Sequence, residues 1–199
     1  MKNLVRTFIV LVAASTMLSF IPSETTAPAW DVDASHSAIS FEINHIFTPV
    51  PGRFDDFTGN VNFDPENLEG SAVNFVIQVA SINTQNEKRD GHLQSADFFD
   101  AESYPTIEFK SRKFMKDGDN YAILGDLTMR DVTKEVTLPF ELLGVQDHPF
   151  KEGSVVAGLR ASTTLNRNDW GVGTGSWAAT AVVDDEVKVD ITLEVSKKK

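Results

Sequence analysis

The chain has 199 residues, no cysteine, and 29 acidic against 18 basic side chains, which gives a formal charge of −11. The lack of cysteine excludes disulfides, thiolate metal ligands, thiol nucleophiles and a lipoprotein attachment site, so stability must come from a hydrophobic core. The negative charge argues against nucleic acid and anionic lipid surfaces as partners.

The first segment in chain order has the layout of a secretory signal peptide. A basic start precedes a mostly apolar run over residues 7–21, which is too short to cross a bilayer of about 30 Å as a stable helix. Ala27 and Ala29 then form an A-x-A cleavage pattern. We therefore expect residues 1–29 to be removed on export and residues 30–199 to form one domain.

Eight segments after this point alternate apolar and polar residues, as half-buried antiparallel strands require. In the first of them Ile39, Phe41 and Ile43 alternate with polar residues. Short strands at near-regular spacing, separated by turn-forming residues, indicate a sandwich or a closed barrel, and a barrel leaves no unpaired edge. We predict an all-β, eight-stranded antiparallel barrel, whose interior is either filled or holds one small ligand. The predicted strands are SAISFEINHI, DFTGNVNF, AVNFVIQVAS, PTIEFKS, YAILGDLTM, EVTLPFEL, VAGLRASTTL and EVKVDITLEV.

One segment, between the third and fourth predicted strands, breaks the alternation. The apolar residues of NEKRDGHLQSADFF have helical spacing. The segment is either a short helix that plugs one end of the barrel or a lid. As a lid, it would place Leu93, Phe98 and Phe99 over a cavity mouth, with Arg89 and His92 at the rim.

Motifs for catalysis and metal binding are missing from the sequence. The four histidines include no pair with metal-ligand spacing, and no G-x-S-x-G elbow or dinucleotide fingerprint occurs. The glycine-rich stretch GVGTGSW follows no βαβ unit and is interpreted as a flexible loop. We therefore predict no catalytic residue, no metal and no cofactor, and we expect that the protein is not an enzyme.

Three arginines lie in partly apolar surroundings, namely Arg53, Arg89 and Arg167. A buried arginine needs an anionic partner. Each could pair internally with a carboxylate such as Asp90 or Asp169, which is the interpretation we favour. Alternatively, one of them meets the polar head of an otherwise apolar ligand.

Five blocks, in this order and at this spacing, give the chain a family resemblance from Trp30 to Val195. It resembles the YceI-like family in WDVDASHSAISFEINH, GRFDDFTGNVNFDP, SINTQNEKRDGHLQSADFFDAESYPTIEFKS, GDLTMRDVTKEVTLPF and LNRNDWGVG. It departs from that family in IFTPVPGRF, where many members have a more polar link that contains glycine.

The resemblance implies an exported bacterial protein, in the periplasm or secreted, with a lipocalin-like barrel that binds a long isoprenoid or another amphipathic lipid. The ligand would be of the quinone or polyprenyl phosphate type. The resemblance also introduces two further partners, a second copy in a homodimer and a component of membrane electron transport. The residues that it carries over are His36, Arg89, Asp90, His92, Leu93 and Arg167.

Binding, sequestration or transport of such a lipid is therefore our first hypothesis. A structural or interaction module with a filled barrel is the second. An enzyme acting on an isoprenoid, with His36 or His92 as acid or base beside Arg89, is the third. The predicted ligand contacts are Phe41, Phe57, Phe75, Arg89, His92, Leu93, Phe98, Phe99, Ile107, Phe109, Leu127, Arg167 and Trp170.

Overall fold

The computed structural model describes residues 26–179 and 181–199, which contain ten antiparallel strands and one α-helix. The basic start and apolar run of the predicted signal peptide lie outside these residues. No described helix is long and apolar enough to cross a membrane. The elements are β1 (Ala29–His45), β2 (Thr48–Phe54), β3 (Phe57–Asn62), β4 (Ala72–Gln78), β5 (Ile82–Asn83), α1 (Glu87–Gln94), β6 (Thr106–Asp117), β7 (Asn120–Met129), β8 (Val132–Asp147), β9 (Ser154–Asn166) and β10 (Val183–Lys198).

Eight of the strands close into the predicted antiparallel barrel. They follow the circuit β1, β10, β9, β8, β7, β6, β4, β3, and the circuit closes where Ala29 and Trp30 of β1 pair with Asn62 and Val61 of β3. These eight strands correspond to the eight predicted segments, so the predicted fold class is confirmed. The first strand is longer than predicted, because it starts at Ala29 and passes through an irregularity between Asp33 and Ala38.

Two further strands, β2 and β5, were missed by the alternation pattern. β2 pairs with the second half of β1, where Pro49 lies opposite Asn44 and Pro51 opposite Glu42. Proline has no N–H to donate, so both residues must turn their nitrogens toward the free edge of β2. β5 pairs there only with the last two residues of β2. The prolines therefore hinder pairing of this exposed edge with a further strand. They are also the reason that the alternation pattern did not predict a strand here.

One end of the barrel is closed by closely packed aromatic rings. The ring of Phe63 lies 5.3 Å from that of Tyr121, 5.4 Å from that of Phe140 and 5.9 Å from that of Phe114, measured between centroids. Trp30 Nε1 donates a hydrogen bond to the Phe63 carbonyl at 2.9 Å. This closed end is a packed core, and any opening must be elsewhere.

α1 and the turns that follow it lie at the opposite end. The helix begins after Asn86, whose side chain accepts a hydrogen bond from the Arg89 N–H at 3.0 Å, and it is shorter than the predicted segment. Arg130 Nη1 then donates to the carbonyl of Phe98 at 3.1 Å and to that of Gly171 at 2.6 Å. The α1 segment is thus tied to the loop that follows β9.

A candidate ligand cavity

The barrel encloses a cavity of about 610 Å³, within the range of small-molecule sites. Its wall is made mainly of inward-facing apolar side chains, in alternate positions along each strand. On β10 the lining residues Val187, Val189, Ile191 and Leu193 follow one another in this way. From the first to the last of these is six residue steps, or about 20 Å along the strand. The cavity is therefore elongated and apolar.

Three phenylalanines of the wall lie across glycines on a neighbouring strand. A Cβ atom added to each glycine would overlap the aromatic ring, so only glycine leaves room for the ring at these places. The rings consequently lie along the wall, which keeps the lumen open. The pairs are Phe41 with Gly52, Phe75 with Gly59 and Phe109 with Gly125.

The mouth of the cavity lies at the end of the barrel where the end of β1, α1 and the loop after β9 contribute lining residues. We define it by the lining residues Asn44, His45, Lys88, Arg89 and Trp177. These polar or amphipathic side chains contrast with the hydrocarbon wall below them. A ligand with an apolar chain and a polar head would match this change along the cavity.

Arg89 reaches the mouth without a carboxylate partner. Its Nε donates to Thr84 Oγ1 at 2.7 Å and its Nη2 to the Thr84 carbonyl at 2.8 Å. Asp90, the predicted partner, instead accepts from the Thr84 N–H and hydroxyl. Within residues 26–179 and 181–199 neither Arg89 nor Lys88 forms an ion pair. Two cations at the mouth are therefore available to an anion.

Arg167 has a different role, because its side chain is buried and fully hydrogen-bonded. Its five N–H groups match five hydrogen bonds of 2.7–3.2 Å, four of them to main-chain carbonyls. Burial lowers the pKa of the guanidinium from its ordinary value. Asp169, the predicted partner, pairs with Lys134 at 2.9 Å instead. Arg167 therefore fastens the loop after β9 to the start of β10. Its acceptors are Asn168, Val172, Trp177, Val183 and Asp184.

The third arginine lies away from the cavity. Arg53 Nε donates to Asp55 Oδ1 at 2.6 Å, and both side chains are exposed. This is the kind of internal carboxylate pair that we favoured for the three arginines. Of the three, Arg53 alone forms such a pair within the described part of the chain.

The irregularity in β1 brings together one group with metal-ligand chemistry. His36 Nδ1 lies 3.0 Å from Asp33 Oδ2 and 3.8 Å from Glu194 Oε1 on β10. Sequence spacing alone did not show this group, because one member comes from another strand. The hydrogen bond with Asp33 raises the pKa of His36, and the same bond lowers the pKa of Asp33. The contacts are those of an exposed ion pair.

His92 is held at the mouth by aromatic and acidic neighbours. Its Nε2 lies 3.1 Å from Asp97 Oδ2, and its ring meets Phe98 and Trp177 edge to face, at 5.1 and 5.0 Å. This arrangement packs the end of α1 against the loop after β9.

Eleven of the thirteen predicted ligand contacts line the cavity, and two do not. Trp170 is buried beside the barrel, where its Nε1 donates to the Leu127 carbonyl at 3.0 Å. Phe57 packs against Phe75, with ring centroids 6.3 Å apart. The eleven are Phe41, Phe75, Arg89, His92, Leu93, Phe98, Phe99, Ile107, Phe109, Leu127 and Arg167.

Sequence reasoning did not place Asn44, His45, Lys88 or Trp177 at the mouth, and it missed Arg130, which ties together the segments beside it. Lys88 precedes Arg89 in the same helix, and this pair of cations was the available signal. Trp177 belongs to GVGTGSW, whose glycines suggested only a flexible loop. Arg130 joins both segments from the β7–β8 turn, and no local pattern could show this.

A closed antiparallel barrel with one deep apolar cavity and a polar mouth defines a lipocalin-like binding fold. A family model described as YceI-like domain matches residues 30–195. The chain belongs to the YceI-like family. Protein YceI of Escherichia coli is 37% identical over 161 residues, which cover 80% of this chain and 83% of that protein. A UPF0312 protein of Photorhabdus laumondii is 35% identical over 166 residues, covering 83% and 85%.

Solved structures share this architecture. BcnA of Burkholderia cenocepacia has a TM-score of 0.74 at 27% identity, covering 82% of this chain and 99% of its own. A polyisoprenoid binding domain from Saccharophagus degradans, implicated in plant cell wall breakdown, has a TM-score of 0.60 at 15% identity, covering 84% and 97%. At that identity the second likeness shows the fold alone.

Proposed function

We propose that this protein binds an isoprenoid or a similar amphipathic lipid inside the barrel, with the chain in the lumen and the polar head at the mouth. The observation that carries the proposal is the elongated apolar cavity of about 610 Å³. It argues against the alternative of a filled barrel. The polyisoprenoid binding domain with the same fold is in keeping with this function.

The lumen suits a hydrocarbon chain because burial of apolar surface is sufficient to drive binding. Each Å² of chain removed from water contributes about 25 cal/mol. The wall residues Phe41, Val189 and Ile191 offer no charged group that the chain would have to desolvate. A flexible chain can also follow a tall, narrow space.

The mouth suits an anionic head group. Lys88 and Arg89 both line it, and neither is paired with a carboxylate in the described part of the chain. Arg89 is already oriented by Thr84, which leaves its Nη1 edge for a phosphate or carboxylate. This favours a polyprenyl phosphate over a neutral quinone.

We further propose an exported, periplasmic protein that carries or sequesters its ligand without chemical change. The His92 ring is engaged with Asp97 and two aromatic rings, and these contacts pack α1 against the loop after β9. A carrier with the chain buried and the head near water needs no catalytic group. The homodimer and the electron-transport component stay predictions.

Native mass spectrometry of protein purified from a bacterial periplasm, followed by lipid identification, tests this proposal. We expect a stoichiometric adduct that fragments as an isoprenoid. Val189→Trp, which fills the lumen, should abolish the adduct. Thr192→Trp, which adds the same ring to the exposed face of β10, should retain it. Bare protein that also fails to bind added quinones and polyprenyl phosphates would refute lipid binding.

A further inference from the structure

Two exposed apolar residues form the tip of the β1–β2 hairpin, next to the cavity mouth. The exposed fraction is 93% for Phe47 and 55% for Ile46. The Ile46 N–H donates to the Val182 carbonyl at 2.8 Å, and Val182 is itself 44% exposed. We call these three residues the apolar tip. Ile46 follows the lining residue His45, and Val182 precedes the lining residue Val183, so the tip continues the surface of the mouth.

The conformation of the hairpin loop is unfavourable for the residue that occupies it. His45 pairs with Thr48, which leaves a two-residue loop, and Ile46 has a φ of 60°. Glycine or asparagine is preferred at such a position, whereas a β-branched residue is strained there. Folding stability therefore does not account for isoleucine at the tip. Strain of this kind is typical of functional positions.

The two stretches of chain that carry the tip contain no charged side chain, although 24% of the chain is charged. The hairpin stretch IFTPVPG has no charged side chain, and neither does the stretch WGVGTGSWAATAVV that ends before Asp184. Trp177, of the second stretch, lies at the mouth, and tryptophan favours membrane interfaces. Asp184 and Asp185 follow this stretch in sequence, and their carboxylates repel anionic membrane surfaces.

We infer that the apolar tip docks on the surface of a zwitterionic bilayer and thereby turns the cavity mouth toward the lipid. This inference rests on the proposed function and adds the partner from which the ligand is taken. With the tip inserted, the hydrocarbon chain moves from the bilayer into the lumen without crossing bulk water. The protein's negative charge selects zwitterionic over anionic membranes.

The other end of the barrel offers a matched control. Phe150, 91% exposed, lies in the β8–β9 loop beyond the closed end, where Leu143 and Val145 are also exposed. That end is filled by the aromatic cluster around Phe63. A phenylalanine of nearly equal exposure is thus present at the end of the barrel opposite the cavity mouth.

Cosedimentation of the periplasmic protein with phosphatidylcholine vesicles tests the inference. Phe47→Ser should lower the vesicle partition coefficient about tenfold or more, because most of one aromatic side chain no longer leaves water. Phe150→Ser should leave the coefficient unchanged. Ile46→Gly should weaken vesicle binding while raising the Tm, which separates docking from folding. Adding phosphatidylglycerol should reduce binding.

Three results would overturn the inference: no vesicle binding by the parent protein, equal loss in Phe47→Ser and Phe150→Ser, or a dimer that Phe47→Ser dissociates without any vesicle binding. The last result would assign the tip to a second copy. The Val189→Trp variant separates the two proposals, because it should lose the lipid adduct and keep vesicle binding. A protein that binds lipid in solution but does not bind vesicles would refute membrane docking and would leave the proposed lipid binding intact.

Discussion

The ring of Phe41 lies across Gly52 of the neighbouring strand, so close that a Cβ atom on residue 52 would overlap it. The same relationship links Phe75 with Gly59. Glycine on one strand thus determines how far an aromatic ring on the next strand reaches into the lumen. The volume of the cavity depends on these small residues as much as on the large ones.

Gly52→Ala should displace the Phe41 ring into the lumen. We expect the free energy of unfolding to fall by about 1–3 kcal/mol through overpacking. Lipid affinity should fall as well, because the ring occupies ligand space. Urea unfolding and lipid titration measure the two effects. Gly144→Ala, on a strand position with nothing within 4 Å of the added carbon, should change neither. Unchanged affinity in Gly52→Ala would refute the shaping role of the glycine.

Arg167→Met should destabilise the barrel strongly, because the substitution leaves four buried or partly buried main-chain carbonyls without their donor. We expect a loss of about 3–5 kcal/mol, as for a broken buried charged network. Arg167→Lys should recover little, since an ammonium cannot reproduce the planar set of five donors. Denaturant unfolding measures both variants.

The matched control for this substitution is Arg160→Met. Arg160 is exposed and lies 3.6 Å from Asp190, and such surface pairs contribute about 0–1 kcal/mol. Equal losses of unfolding free energy in the two methionine variants would contradict our inference that Arg167 fastens the loop after β9 to β10.

Arg89→Gln should reduce the affinity for a polyprenyl phosphate about tenfold, because a charge-assisted bond at the mouth is lost. The affinity for the corresponding uncharged alcohol should change little. Arg89→Lys should retain part of the phosphate preference, since it keeps the charge and loses the contacts with Thr84. Equal losses for both lipids would show that Arg89 supports the fold of the mouth and does not bind the head group. Lipid titration of both variants measures the difference.

The ion pair of His36 with Asp33 should make stability depend on pH in a definite direction. The hydrogen bond raises the pKa of His36 above its ordinary value of 6.5, so its contribution is complete below pH 6.5 and disappears as pH rises through the raised pKa. The pKa of Asp33 is lowered from 3.8, mainly by the same bond, so its contribution is present above pH 3.8 and disappears as pH falls through the lowered pKa.

His36→Gln should therefore differ most from the parent protein between pH 3.8 and 6.5, the ordinary pKa values of Asp33 and His36. The difference should shrink at more acidic and more alkaline pH. Urea unfolding across this range measures the effect, and Asp33→Asn should reduce the pH dependence of the difference, with Glu194, 3.8 Å from His36, retaining a smaller part of it. A difference that is constant with pH would show that the pair does not titrate with folding.

The fold was predictable from the sequence because alternation is a local property. Each strand of the circuit carries its own pattern, as in Ile39, Phe41 and Ile43, and eight such strands admit few closed arrangements. β2 was not predicted, because prolines within a segment argue against a strand when only the sequence of that segment is considered. Only its position at an edge makes them compatible with pairing.

The cavity wall was also largely predictable from the sequence, since eleven of thirteen predicted contacts line the cavity. The roles of the polar residues were not, because partners come from distant segments. Arg167 donates to carbonyls up to 17 positions away, and Arg89 donates to Thr84. The predicted carboxylate partners bond other groups, Asp90 with Thr84 and Asp169 with Lys134. Sequence alone determined which side chains are apolar and which way they alternate. Tertiary structure decided which cations stay unpaired at the mouth, because pairing depends on distance in space.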